Sequence, residues 1–203
     1  MRLVIHPLNP QNRVVTRAVE MMRAGALLVY PSDTGYALGW ALMQKATEDR
    51  VRLLRDLEDK HPFTLMCRDL RQVAMYARLD DSAFRILKQR TPGPYTFILP
   101  AARELPRRLL DGKRRAIGVH IAEHRVVDSL IDALDEPFLS TSLKVPGLEL
   151  DGIDPEEMHD QLGKRVDIML DAGACASNPS TVVDLTGSSP QVLRLGQGKV
   201  DFQ

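Results

Sequence analysis

The sequence predicts a single α/β domain built on a twisted mixed sheet with flanking helices. Three observations carry that expectation. Short apolar runs alternate along the chain with segments whose apolar residues recur every three or four positions, so strands and helices interleave from end to end. No internal repeat, low-complexity segment or linker-like stretch divides the 203 residues, so residues 1–203 read as one domain. Apolar residues make up 44% of the chain, enough for a substantial core.

Residues 3–5 form a first strand. Asn9 and Pro10 read as an N-cap and a first helical position, and Val14, Val15, Ala18, Val19, Met21 and Met22 recur at helical spacing until Gly25 stops the helix. The apolar run 26–30 is a buried strand that ends at Pro31. A polar loop over 32–36 leads into a helix over 46–55. Residues 63–66 read as a strand, 70–76 and 82–89 as helices, and 95–99 as a strand behind the rigid Thr91-Pro92-Gly93-Pro94 turn. A strand at 116–121, a helix at 126–134 and a strand at 138–142 follow. Residues 147–154 are the candidate for a long mobile loop, and Asp154 caps a helix over 155–162. Strands at 168–170, 181–185 and 191–195 close the chain.

Composition removes several function classes. Lys and Arg total 27, as do Asp and Glu, so no chain-wide basic charge drives indiscriminate binding to nucleic acid. Cys67 and Cys175 stand in no metal-ligand spacing and read as free thiols of a reducing cytoplasm. The first residues lack the apolar core of a signal peptide, and no run approaches the ~20 apolar residues of a membrane span. His6, His61, His120, His124 and His159 lack a His-Glu-x-x-His or Cys-x-x-Cys companion, so no metal site is expected. There is no Gly-x-Ser-x-Gly elbow, Walker loop or Gly-x-Gly-x-x-Gly, so a nucleotide would need a different device.

Four predicted strand ends run into polar groups: Ser32 to Tyr36, Thr91 to Thr96, Ser140-Thr141-Ser142, and Pro179-Ser180-Thr181 with Arg194-Leu195-Gly196 following. Ligands of open α/β sheets bind at strand ends. Ser32, Thr34 and Tyr36 alternate, so an extended segment would show their hydroxyls on one face. A turn capped by Asp33 and broken by Gly35 accounts for the same residues without a ligand. Charge is uneven between residues 103 and 115, where Arg103, Arg107, Arg108, Lys113, Arg114 and Arg115 face only Glu104 and Asp111. That stripe reads either as a phosphate or RNA contact or as a solvated turn.

Taken in order, these segments resemble the YrdC-like family, which includes the threonylcarbamoyl-AMP synthases, and within it the YciO subgroup. The family's Pro-Thr-Asp-Thr-x-Tyr-Gly-Leu-Gly is matched by Pro31-Ser-Asp-Thr-Gly-Tyr-Ala-Leu-Gly39. Its Pro-Gly-Pro-x-Thr is matched at 92–96, its Ser-Thr-Ser-Ala-Asn at 140–144, its Ser-Thr-hydrophobic-x-Asp at 180–184 and its Arg-x-Gly at 194–196. Phe63-Thr-Leu-Met-Cys-Arg-Asp-Leu70 and Pro106-Arg-Arg-Leu-Leu110 are features of the YciO subgroup. The resemblance implies a sheet curled around a concave groove. It also implies condensation of L-threonine, bicarbonate and ATP into threonylcarbamoyl-AMP with release of pyrophosphate, a step of transfer RNA modification. ATP would be a substrate accompanied by Mg²⁺, with no tightly bound cofactor. Arg55 and Ser142 would be catalytic, and Ser32, Thr34, Tyr36, Thr96, His120, Ser140, Lys144, Ser180 and Arg194 would bind substrate or nucleotide. The 103–115 cations would meet double-stranded RNA or transfer RNA.

The chain departs from the synthase pattern where charge matters. The family's Lys-x-Arg aligns with Leu53-Leu54-Arg55, its asparagine with Lys144, and an arginine of its Val-Arg-x-Pro strand with His120. Arg52 and Lys144 are the candidates to stand in for the missing lysine. The readings left open are a nucleotide- and RNA-binding relative of the synthases with weak or altered activity, a non-catalytic double-stranded-RNA binder, and an enzyme with a different acceptor.

Overall fold

A computed structural model of the chain describes residues 1–58, 61–103, 105, 109, 115–175 and 177–202. In chain order its elements are β1 (Arg2–Val4), α1 (Asn12–Arg23), β2 (Leu28–Ser32), β3 (Gly35–Ala41), α2 (Lys45–Arg55), β4 (Thr64–Met66), α3 (Leu70–Tyr76), α4 (Asp81–Arg90), β5 (Tyr95–Pro100), β6 (Ala116–His120), α5 (Arg125–Leu134), β7 (Phe138–Ser142), α6 (Pro155–Leu162), β8 (Ile168–Asp171), β9 (Thr181–Asp184) and β10 (Gln191–Arg194). The α/β class and the mixture of parallel and antiparallel pairing agree with the expectation. The elements gather into two units interleaved in sequence: residues 1–59 with 124–177, and residues 60–123 with 178–203.

In the first unit β1 pairs parallel with β8 and β8 parallel with β2, while β2–β3 and β3–β7 are antiparallel. All five β2 residues are buried, Ser32 among them, with α5 packed on the strand. α1 buries Val15, Ala18, Val19 and Met22, and α5 buries Val126, Val127, Leu130, Ile131 and Leu134, the 3.6-residue stripes of two helices that pack together. The Tyr30 and Phe138 rings meet edge to face at 5.1 Å over Gly39, where an added Cβ would lie 2.9 Å from the Tyr30 ring. Asp167 ties three parts of this unit. It accepts from the Leu27 N–H at 2.7 Å and from Arg50 of α2 at 2.8 Å, while its carbonyl accepts from the Met1 ammonium at 2.9 Å. Burial raises the Asp167 carboxyl, but these donors and their charges outweigh it and hold the group below its ordinary value.

Two expectations fail here for local reasons. Asn9 is not a cap. The His6 Nδ1 accepts the N–H groups of Leu8 and Asn9 at 3.2 and 3.1 Å, which makes a turn of this segment and moves the N-cap of α1 to Gln11. The polar stretch 32–36 is not one loop. It is the tip of a hairpin whose two-residue turn, Asp33-Thr34, joins β2 to a strand, β3, that the sequence reading ran together with the loop. Gly35, at φ +106°, opens that strand. Gly25, at φ +92°, ends α1 as expected, and Asp154 caps α6 through the Glu156 N–H at 2.8 Å. Within 147–154 the Leu150 side chain is buried, so this loop is anchored.

In the second unit β4 pairs parallel with β6, β6 antiparallel with β5, β5 parallel with β9, and β9 antiparallel with β10. Leu65, Phe97, Leu99, Val119 and Val183 fill its core with Leu87 of α4. Asp69 and Asp80 cap α3 and α4, each accepting an N–H three residues on at 2.8 Å. Among the described residues, no helix is long and apolar enough to cross a membrane.

Candidate functional site

The first unit carries one polar cluster at the exit of β7. Arg55, the last residue of α2, reaches that exit. Its Nε donates to the Lys144 carbonyl at 3.1 Å and its Nη1 donates to Thr141 Oγ1, so its two contacts bracket Ser142 in the chain. The guanidinium is half-buried, and burial alone lowers its pKa from the usual arginine value. Among the described residues no carboxylate pairs with it. A half-desolvated cation with several unused N–H donors is a ready receptor for an anion. Ser142 is exposed and its hydroxyl has no partner among the described residues. Pleat alternation puts Ser142 on the face of β7 opposite Thr141. Lys144 is exposed, and its ammonium likewise has no partner among the described residues.

The other hydroxyls that the sequence singles out in this unit are engaged. Ser140, 4% exposed, lies 2.6 Å from the Tyr30 phenol. Ser32 donates to the Gly35 carbonyl at 3.0 Å and accepts the Thr34 N–H at 3.2 Å, and its Oγ is 3.1 Å from the Thr34 hydroxyl. The two therefore close the hairpin turn, which is the ligand-free arrangement the sequence also allowed. The Tyr36 phenol donates to the Gly173 carbonyl at 2.8 Å and accepts the Ala172 N–H at 3.0 Å. It ties β3 to the segment after β8, and burial raises its pKa well above the usual tyrosine value. Tyr36 also lines a shallow surface depression with Leu143, Leu150, Asp151 and Cys175. Arg52 does not stand in for the missing lysine: it is buried and pairs with Glu48 of its own helix at 3.1 Å. Leu53, at the lysine's aligned place, is 83% exposed. Thr141 is the functional-cluster residue that sequence reasoning passed over, although the Ser-Thr-Ser run held the signal.

The second unit carries a separate relay. The Thr96 hydroxyl lies 2.9 Å from Ser180 Oγ and 3.5 Å from His120 Nδ1. Arg194 donates from Nε and Nη2 to the Ser180 carbonyl at 3.2 and 2.9 Å, and from Nη2 to Ser180 Oγ at 3.1 Å. Its Nη1 carries no partner among the described residues. Gly196 lets the segment after β10 close on residues 179–181: a Cβ there would sit 2.1 Å from the Pro179 carbonyl oxygen, and its N–H donates to Thr181 Oγ1 at 3.0 Å. His120 and Ser180 are buried, Thr96 is half-buried and Arg194 is exposed. Of the basic stripe, Arg103 and Arg115 are exposed, while Arg107, Arg108, Lys113 and Arg114 lie outside the described residues. No group of three or more His, Cys, Asp or Glu among the described residues could hold a metal ion.

A model of the Sua5, YciO and YrdC proteins, described as "Telomere recombination", matches residues 20–196. The chain is 48% identical over 196 residues to the uncharacterized protein YciO of Escherichia coli K12, covering 97% of this chain and 95% of that one. It is 27% identical over 183 residues to the threonylcarbamoyl-AMP synthase of Klebsiella pneumoniae, covering 88% and 95%. The crystal structure of E. coli YciO matches with a TM-score of 0.93 at 46% identity over 100% of this chain and 98% of that one. The structure of Pyrococcus abyssi Sua5 complexed with L-threonine shares the fold, with a TM-score of 0.85 at 22% identity over 97% of this chain and 57% of that one.

Proposed function

Because this chain belongs to the Sua5/YciO/YrdC family, we propose that it binds ATP and an L-amino acid and joins them through bicarbonate into a carbamoyl adenylate. Its distant relatives named threonylcarbamoyl-AMP synthase support the reaction type, and the threonine complex of a protein with the same fold supports an amino acid as ligand. In that reaction the amino nitrogen takes up the bicarbonate carbon with loss of water. A carbamate oxygen then bonds to the α-phosphorus, and the bond from that phosphorus to pyrophosphate breaks. Negative charge concentrates on carboxylate and phosphate oxygens throughout, so cations and oriented donors are the groups the chemistry needs.

The observation that carries this reading is Arg55, half-buried, braced by Thr141 and the Lys144 carbonyl, and without a carboxylate among the described residues. In our assignment it takes the acceptor's α-carboxylate, with Ser142 as the free hydroxyl of that exit. Within the second unit, Arg194, held through Ser180 and backed by Thr96 and His120, is assigned to an anion of the phosphate type. Mg²⁺ would enter on the triphosphate oxygens, as it commonly does with nucleotide substrates. ATP-consuming chemistry of this kind belongs to the cytoplasm. Incubation with radiolabelled ATP, L-amino acid and bicarbonate should release pyrophosphate and form a labelled carbamoyl adenylate. Arg55→Gln should weaken amino-acid binding roughly 10–100-fold, the equivalent of a charged hydrogen bond of ~1.5–3 kcal/mol. Absence of ATP binding and of product with every amino acid would overturn the reading.

A second reading is association with double-stranded RNA through the 103–115 segment. It is favoured by the exposure of Arg103 and Arg115 at its two ends, neither paired with a carboxylate among the described residues. Duplex-RNA affinity should then fall steeply with salt, and salt-insensitive or undetectable binding would remove this reading.

A further inference from the structure

The exit of β7 holds two cations and no counter-charge among the described residues. Arg55 uses one N–H at Nε and one at Nη1, which leaves three of the five donors of a guanidinium unused. Its fork can therefore seat one carboxylate. Lys144 is bound to the same point through its own main chain, since its carbonyl receives Arg55 Nε at 3.1 Å. Its side chain is exposed, and a lysine ammonium reaches roughly 6 Å from its own Cα on a flexible stem. The two charges can thus grip different groups of one small molecule. Ser142 at this exit is neutral, and on α2 Arg52 is paired with Glu48 and Leu53 is apolar.

We propose that the amino acid accepted at this exit carries a second acidic group, and that Lys144 receives it. The substrate class is then an L-amino dicarboxylate of the aspartate or glutamate type, with Lys144 as the residue that sets specificity. A neutral side chain would satisfy Arg55 alone and offer Lys144 no anion of its own. An acidic side chain balances both cations. The inference rests on the reading that Arg55 takes the α-carboxylate.

Titration calorimetry of the full chain with L-threonine, L-aspartate and L-glutamate, in the presence of a non-hydrolysable ATP analogue, tests it. One acidic amino acid should bind about fivefold or more tightly than threonine, the size of one partly exposed ion pair. Lys144→Gln should erase that preference by bringing the acidic amino acids down to the affinity of threonine, and Lys144→Glu should reverse it. Threonine binding as tightly as both acids overturns the inference. So does a loss in Lys144→Gln that threonine shares equally, because Lys144 would then serve a group common to all acceptors. If ATP and threonine bind while the acids do not, the inference fails and the proposed reaction stands. If none of the three amino acids binds, the inference fails, and the proposed reaction is decided by the pyrophosphate-release assay with the remaining amino acids.

Discussion

His124 shows how a single side chain makes stability depend on pH. Its Nδ1 accepts the Val126 N–H at 3.2 Å and so caps α5, a role open only to an unprotonated nitrogen. Burial holds the imidazole below its usual pKa, with the Asp33 and Asp128 charges pulling the other way. Below a pH of about 6.5 the unfolded chain takes up a proton that the folded chain refuses, so stability rises with pH through that window and falls on acidification. Urea unfolding between pH 5 and 8 should show this slope, and His124→Asn, which keeps an acceptor at the cap, should flatten it relative to the unaltered chain. The same scale sets what could be read of the site. Ser32, Tyr36 and Ser140 are conspicuous in the sequence as hydroxyls at strand ends, yet each is spent on a protein partner. Thr141 and Lys144 flank the residue that drew attention, Ser142, and it is they that hold Arg55.

At the scale of elements, α3, β7 and α6 fall at the residues that periodicity and capping predict. β3 was concealed because its polar start continues the hydroxyl run, and only its pairing with β2 and β7 separates strand from turn. This strand also depends on a residue with no side chain. At Gly39 a Cβ would lie 2.9 Å from Tyr30 and 3.1 Å from Phe138, two rings at the centre of the unit. Gly39→Ala should therefore cost about 1–3 kcal/mol, as overpacking of a filled core does, and urea unfolding measures it. Tyr30 also holds Ser140, so a shifted ring should loosen the β7 strand on which Arg55 rests.

For the whole molecule, chain order and spatial grouping disagree. The first unit is completed only by residues 124–177, after the chain has supplied most of the second. A fragment ending at residue 123 keeps β2 but loses its parallel neighbour β8, the strand β7 beside β3, and α5. It leaves a fully buried strand without cover, so the fragment should show no cooperative unfolding transition by circular dichroism, whereas the full chain should. The sequence by itself determined the α/β class, nearly all of the strands and helices, and the motifs that mark the family, because apolar period, caps and turn residues act over a few neighbouring positions. The tertiary structure alone decided which polar groups remain for a ligand. Tyr30 meets Ser140 across 110 residues, Tyr36 meets Gly173 across 137, and Arg55 meets Lys144 across 89. Whether a hydroxyl or a guanidinium is satisfied depends on partners brought from far along the chain, and no local pattern encodes that.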